Sequence, residues 1–177
     1  MICYFQKRLK NIYLLEEMNY KDYIESIKDF PKKGILYRDI QPLLETPVVF
    51  DQAIEEMYRL LDTKPKYWVG IESRGFIFAS ALSIKYGGGL KLIRKHGKLP
   101  NQELKSVNYN SEYETDTIEM KKGYGDVIIV DDVYATGGTI TASSELCEIS
   151  GYTIIGKICL LDIGINLDTD VQSLIHY

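Results

Sequence analysis

Val127-Ile128-Ile129-Val130-Asp131-Asp132-Val133-Tyr134-Ala135-Thr136-Gly137-Gly138-Thr139 runs from four β-branched residues through two adjacent acids into a turn of small, glycine and hydroxyl residues. An unbroken β-branched run is what a strand covered on both faces of a parallel sheet requires. Open α/β sheets place ligands beyond the carboxyl ends of their strands. There Asp131 and Asp132 arrive as acceptors for vicinal sugar hydroxyls. Ala135, Thr136, Gly137, Gly138 and Thr139 then offer successive backbone N–H groups and two hydroxyls at a helix start, where unpaired amides and the helix dipole favour a phosphate. No Gly-Lys-Ser/Thr follows the glycines, so the turn is not a Walker A loop. The order of residues reads as a sugar-phosphate site.

The flanking sequence continues a strand–helix alternation. Tyr67 to Ile71 reads as a strand broken by Glu72-Ser73-Arg74-Gly75, and Phe76 to Lys85 as a helix closed by Gly87-Gly88-Gly89. Leu90 to Ile93 and Thr115 to Met120 read as strands, Thr139 to Ser150 as a helix, and Tyr152 to Leu161 as a long apolar strand. Upstream, Val49, Ile54, Met57, Leu60 and Leu61 recur at three and four, which predicts an amphipathic helix from Val48 to Leu61 with Pro47 near its first turn. Tyr23, Ile24 and Ile27 share that spacing and predict a helix that stops before Pro31 and Gly34. The alternation predicts an α/β fold, a parallel sheet with helices on both faces. Lys95 to Glu114 is polar, without sustained period and longer than most connections, so it reads as a lid or a disordered segment.

At 177 residues, 45% apolar and 26% charged, the chain suits one such domain with a sizeable core. A net charge of −4 argues against a surface that coats nucleic acid, so anion binding must rest on local basic clusters. No stretch approaches the roughly 18–20 apolar residues of a membrane span. Cys3, Cys147 and Cys159 are odd in number and lack metal-ligand spacing, which suits a reducing cytoplasm. His96 and His176 are too few and too scattered for a zinc site. Residues 1–17 carry Lys7, Arg8 and Lys10, but their apolar pieces are too short for a secretory signal, and Glu16 and Glu17 count against a transit peptide. They read as an extension, or an over-called start, to a single domain spanning 18–177; a functional segment is the other reading.

Val127 to Thr139 resembles, at every position, the phosphoribosyl-pyrophosphate (PRPP) motif of the type I phosphoribosyltransferases. The resemblance implies their fold, a central, mostly parallel sheet flanked by helices with a mobile hood loop. It also implies that Asp131 and Asp132 hold the ribose and Ala135 through Thr139 the 5-phosphate of PRPP. Such a donor carries a pyrophosphate leaving group as well. Glu72-Ser73-Arg74-Gly75 lies at a strand's carboxyl end, where a tight glycine turn can aim amides and Arg74 at an anion; as bare sequence a surface arginine fits equally well. In the type I enzymes this loop binds pyrophosphate and often holds a non-proline cis peptide, which the resemblance places at Glu72–Ser73. Lys91, Arg94, Lys95, His96 and Lys98 are dense enough to be an ordinary solvated face. Leu92 to Pro100, however, resembles the LIRKxGKLP segment of adenine phosphoribosyltransferases, whose basic residues reach across a dimer interface to the neighbouring pyrophosphate. That implies roles for Arg94, Lys95 and Lys98.

Asp29 to Ile40 resembles the DFPxxGxxFRDI element of the same adenine enzymes. There the backbone at the Leu36 position reads the adenine edge, an aromatic at the Tyr37 position stacks on the ring, and Arg38 lies beside the base. Stacking tolerates many bases, while backbone amides and carbonyls distinguish an exocyclic amine from a carbonyl oxygen. Family members more often carry Phe where Tyr37 stands; the stacking face is kept. Tyr109 to Tyr113 resembles the YxxEY element of the hood, which implies that Glu112 orients or helps deprotonate the purine and that Tyr113 bonds the phosphates. Two departures are Glu114, where glycine is usual, and one extra residue between Pro100 and Glu112. Ile163 falls where the family packs an aliphatic side chain on the other face of adenine.

The resemblance runs from Asn19 to Tyr177, and it implies purine salvage. The expected reaction is glycosyl (pentosyl) transfer from PRPP to adenine, giving AMP and pyrophosphate, with Mg2+ held by PRPP and water rather than by protein ligands. It further implies a cytoplasmic homodimer without nucleic-acid or membrane partners. A non-catalytic PRPP-sensing regulator and a transferase for another purine base are the competing expectations.

Overall fold

The computed structural model describes residues 18–100, 103–110, 115–165 and 170–177. They fall into two compact units, divided between Phe50 and Asp51. In the first, Asn19 caps a single 3-10 turn, Tyr20–Tyr23, by accepting the Lys21 N–H. Strands β1 (Glu25–Lys28) and β2 (Leu36–Asp39) then pair antiparallel. The helix predicted around Tyr23, Ile24 and Ile27 does not form. Ile24 is buried but Ile27 is exposed, so they share no apolar face, and Ile27 stands opposite Tyr37 across the hairpin. The connection turns at Asp29 (φ 60°) and Gly34 (φ 92°), where the Gly34 N–H donates to Asp29 Oδ1 at 2.6 Å. A short helix α1 (Gln41–Glu45) follows. Helix α2 (Pro47–Arg59) starts with its proline, a position whose N–H has no helical partner anyway.

The second unit carries strands β3 (Tyr67–Ile71), β4 (Gly89–Lys95), β5 (Leu104–Asn110), β6 (Thr115–Lys121), β7 (Gly125–Tyr134), β8 (Tyr152–Asp162) and β9 (Gln172–His176), in spatial order β5-β6-β4-β3-β7-β8-β9. From β4 to β9 neighbours are parallel, while β6 runs antiparallel to both β4 and β5. The sheet is therefore mixed, with a parallel centre.

Helix α3 (Gly75–Tyr86) joins β3 to β4, and α4 (Gly138–Ile149) joins β7 to β8. The two crossovers run in opposite directions along the sheet, so right-handed connections put the helices on opposite faces. The alternation along β3 agrees. Val69 and Ile71 join the core cluster of Ile140, Leu146 and Cys147 from α4, whereas a methyl on Gly70 would lie 3.0 Å from Ala79 Cβ of α3. Adjacent β3 and β7 thus mark the point where the winding reverses, the usual place for a ligand.

The polar stretch from Lys95 to Glu114, read as a lid or a disordered segment, contains a strand among its described residues. Strand β4 extends to Lys95, and all seven residues of β5 pair with β6, Val107 facing Ile118. Val107 and Tyr109 turn inward between exposed Ser106 and Asn108, and two such positions are too few to register as a period in sequence.

Candidate active site

Strands β3 and β7 lie side by side with Gly70 opposite Val130. Beyond β3, Glu72, Ser73 and Arg74 turn into Gly75, the first residue of α3, and the Glu72–Ser73 peptide is cis. Gly75 is required by closeness, because a methyl there would stand 2.7 Å from the Val130 carbonyl oxygen and 2.9 Å from Asp131 Oδ1. Strand β7 continues through both acids to Tyr134, since Asp131, Val133 and Tyr134 pair with Cys159, Leu161 and Asp162 of β8. Ala135, Thr136 and Gly137 form the turn; Gly137 adopts a left-handed φ of 85° and Gly138 opens α4.

These turns enclose one cavity of about 310 Å³, at the lower end of the roughly 300–1,000 Å³ usual for small-molecule sites. Its walls include Glu72, Ser73, Arg74, Lys95, Asp131, Asp132 and Ala135 through Thr139. Asp131 and Asp132 are 8% and 6% exposed. Burial pushes Asp131 well above the ordinary carboxylate range, and the Asp132 charge adds to this. Asp132 is raised by burial against the pull of Arg74. Arg74 Nε stands 2.7 Å from Asp132 Oδ2, yet no well-directed hydrogen bond reaches that buried oxygen. Its lone pairs remain suited to a hydroxyl donor.

The basic residues at the end of β4 part company. Arg94 forks onto Glu72 through Nε (3.2 Å) and Nη2 (3.3 Å), beside the Phe76 ring. Lys95 Nζ lies 2.6 Å from Asp116 Oδ2, and His96 Nδ1 lies 2.5 Å from buried Glu119. Lys98 donates its backbone N–H to the Lys95 carbonyl and exposes its side chain. Lys91 sits over the Tyr67 ring at 4.9 Å. Burial alone would push Glu72 up, but Arg94 and the Lys95 N–H together hold it below the usual range. Of these basic residues Lys95 stands in the cavity wall, while Arg94 is turned to a carboxylate of its own chain.

Two further wall residues come from the strand pair β5–β6. Tyr109 and Asp116 face one another in register, and the Tyr109 hydroxyl bonds the Thr139 side chain; burial raises the tyrosine's pKa. The sequence marks Tyr109 only as the first residue of the hood element and Asp116 not at all, because their convergence depends on the antiparallel register. Leu36, Tyr37 and Arg38 occupy β2 in the first unit, where Tyr37 meets Phe30 edge-on at 5.1 Å and Arg38 bonds Ser26. Ile163 follows β8 and donates its N–H to the Tyr134 carbonyl at 3.0 Å; it is not a wall of the cavity. Glu112, Tyr113 and residues 1–17 lie outside the described residues.

Comparison with known proteins agrees with this geometry. Residues 42–171 match the phosphoribosyl transferase domain. The chain is 49% identical to an adenine phosphoribosyltransferase of Hydrogenovibrio crunogenus, over 80% of this chain and 83% of the relative. It is 43% identical to that of Carboxydothermus hydrogenoformans, over 82% and 88%. Its structure is similar to adenine phosphoribosyltransferase from Thermoanaerobacter pseudethanolicus, with a TM-score of 0.82 and 39% identity, covering 89% of this chain and 97% of the other. It is also similar to the Saccharomyces cerevisiae enzyme solved with an imino-altritol bisphosphate and adenine, with a TM-score of 0.75 and 33% identity, covering 81% and 86%. The chain belongs to the adenine phosphoribosyltransferases of the phosphoribosyl transferase family.

Proposed function

We propose that the chain transfers the 5-phosphoribosyl group of PRPP to adenine N9, giving AMP and pyrophosphate in purine salvage. The observation that carries this reading is the convergence of Arg74, the Asp131–Asp132 pair and the Ala135–Thr139 turn on one cavity, in a chain of this family. The backbone N–H groups and hydroxyls of Ala135 to Thr139 take the 5-phosphate, and Asp131 and Asp132 accept the two ribose hydroxyls. Glu72, Ser73 and Arg74 form the pyrophosphate end, with Lys95 in the same wall. As the bond from C1 to pyrophosphate lengthens, positive charge grows on the ribosyl ring and negative charge on the leaving group; we assign stabilisation of the latter to Arg74.

No group of three His, Cys, Asp or Glu side chains among the described residues could hold a metal. Mg2+ is assigned to donor oxygens and water, where it would neutralise pyrophosphate. Base recognition is assigned to Leu36, Tyr37, Arg38 and Ile163, and orientation of the purine and closure against water to Glu112 and Tyr113. The activity is assigned to residues 18–177, without the extension.

A homodimer is part of the proposal. Helix α3 is apolar nearly all round, yet Ile77 and Ile84 are 38% and 89% exposed, and a helix of that kind is normally covered. Arg94, which lies beside Phe76 of the same helix, is assigned to a partner's pyrophosphate. Among the described residues no helix is long and apolar enough to cross a membrane, and a cytoplasmic location fits the unpaired thiols. Pyrophosphate release measured with PRPP, with and without adenine, tests the reading. Release that requires adenine supports transfer, whereas PRPP binding without release in either case would indicate a sensor.

A further inference from the structure

Arg94, Lys95 and His96 each rest on a carboxylate of their own chain, Glu72, Asp116 and Glu119 respectively. Of these three basic side chains only Lys95 lines the cavity, and its carboxylate lines it too. The Lys95 side chain is 49% exposed, while that of Asp116 is 17% exposed and also accepts the Thr117 N–H at 2.9 Å. The acid is therefore the fixed member and the ammonium the movable one. Asp116 also stands opposite Tyr109, whose hydroxyl bonds the phosphate turn, so its strand is tied to the far end of the same cavity. The Lys95 ammonium holds the Asp116 carboxyl below the usual range, which keeps the acid ionised beside a site for a multiply charged anion. A carboxylate there opposes the ligand by simple repulsion unless it governs the cation beside it.

We infer that Asp116 is a positioning residue of the donor site: it holds the Lys95 ammonium at the cavity wall, and the pyrophosphate end of PRPP must draw Lys95 from it. This rests on reading the cavity as the PRPP site. An ammonium on a flexible four-carbon stem can exchange a carboxylate for a phosphate oxygen by rotating its own side chain, with no backbone movement. The exchange tempers affinity for pyrophosphate, and the returning carboxylate assists its departure after transfer.

A double-mutant cycle separates this exchange from bulk repulsion. PRPP binding is measured by calorimetry with magnesium and without adenine, on full-length wild type, Asp116→Asn, Lys95→Met and the double variant. Repulsion alone predicts the same tightening on Asp116→Asn whether or not Lys95 is present. Release of Lys95 adds a gain only when the lysine is there, expected at about two- to fivefold for a partly exposed ion pair. Equal gains in the two backgrounds overturn the inference. Weaker binding by Asp116→Asn than by wild type also overturns it, by showing that the carboxylate supports the site directly. Should Asp116→Asn fail to fold, Asp116→Ser supplies the same comparison. Wild-type protein that binds no PRPP would instead refute the donor-site reading, and the inference with it.

Discussion

Arg74 Nε and Asp132 Oδ2 stand 2.7 Å apart, which ties the turn after β3 to an acid within β7. The Asp132 side chain is 8% exposed and that of Arg74 31%, so removing the arginine strands a buried charge. Arg74→Ala is expected to lower stability by about 1–3 kcal/mol, less than the roughly 3–5 kcal/mol of a fully buried pair because the arginine is partly solvated. Asp132→Asn in that background should restore most of the loss. Urea unfolding of the single and double variants checks this, and an Arg74→Ala chain as stable as wild type would show that the pair contributes nothing.

Donor binding should expel protons. Burial and the Asp132 charge raise the Asp131 pKa in the donor-free protein, whereas hydrogen bonds from ribose hydroxyls favour the ionised carboxylate. Affinity for PRPP should therefore be full above that raised pKa and fall as pH drops through it, at a higher pH than an ordinary aspartate near about 3.9 would give. For the empty fold the sign reverses. The folded state holds this proton more tightly than the unfolded chain, so Asp131 subtracts stability as pH rises from the unfolded pKa through the folded one. Asp131→Asn should accordingly raise Tm while weakening PRPP binding. Calorimetry in buffers of different ionisation enthalpy reads the released protons at mildly acidic pH; a heat independent of buffer would contradict the assignment.

Gly75→Ala places a methyl 2.7 Å from a backbone oxygen of Val130, a contact that no side-chain rotation relieves. The expected cost is about 1–3 kcal/mol of stability, as for other overpacked sites, together with weaker PRPP binding because the Asp131 carboxylate must move. Thermal unfolding and PRPP titration check both, and wild-type values would mean that α3 and β7 approach more loosely.

Much of the fold and of the cavity wall is legible in the chain because it is local. The β-branched run of Val127 to Val130, the acids behind it and the glycine turn are contiguous, so strand, site and helix start can be read from a single segment. The cis peptide at Glu72–Ser73 is legible only through resemblance, since nothing in Glu-Ser-Arg-Gly demands it. Where pairing between distant segments decides, sequence falls short. The Ile24–Ile27 spacing suits a helix until Tyr37 arrives opposite Ile27, and β5 has too few inward apolar residues to announce itself. Tyr109 and Asp116 become neighbours only through the β5–β6 register, and Arg94 meets Glu72 only because β4 lies beside β3.

Subunit mixing addresses the partner's role. If Arg94 serves the neighbouring pyrophosphate, an Arg94→Ala chain mixed with an Asp131→Ala chain should recover part of the wild-type activity, because heterodimers then hold one site with both contributions intact. Confirmed subunit exchange without recovery would confine Arg94 to its bond with Glu72.

Base choice tests the central claim most directly. Purified protein is supplied with PRPP, magnesium and equal amounts of adenine, hypoxanthine and guanine, and the nucleotides formed are separated and quantified. The expected result is AMP as the dominant product, with pyrophosphate in equal amount and only traces of the 6-oxopurine nucleotides. Comparable yields from hypoxanthine or guanine, or no nucleotide at all, would contradict it.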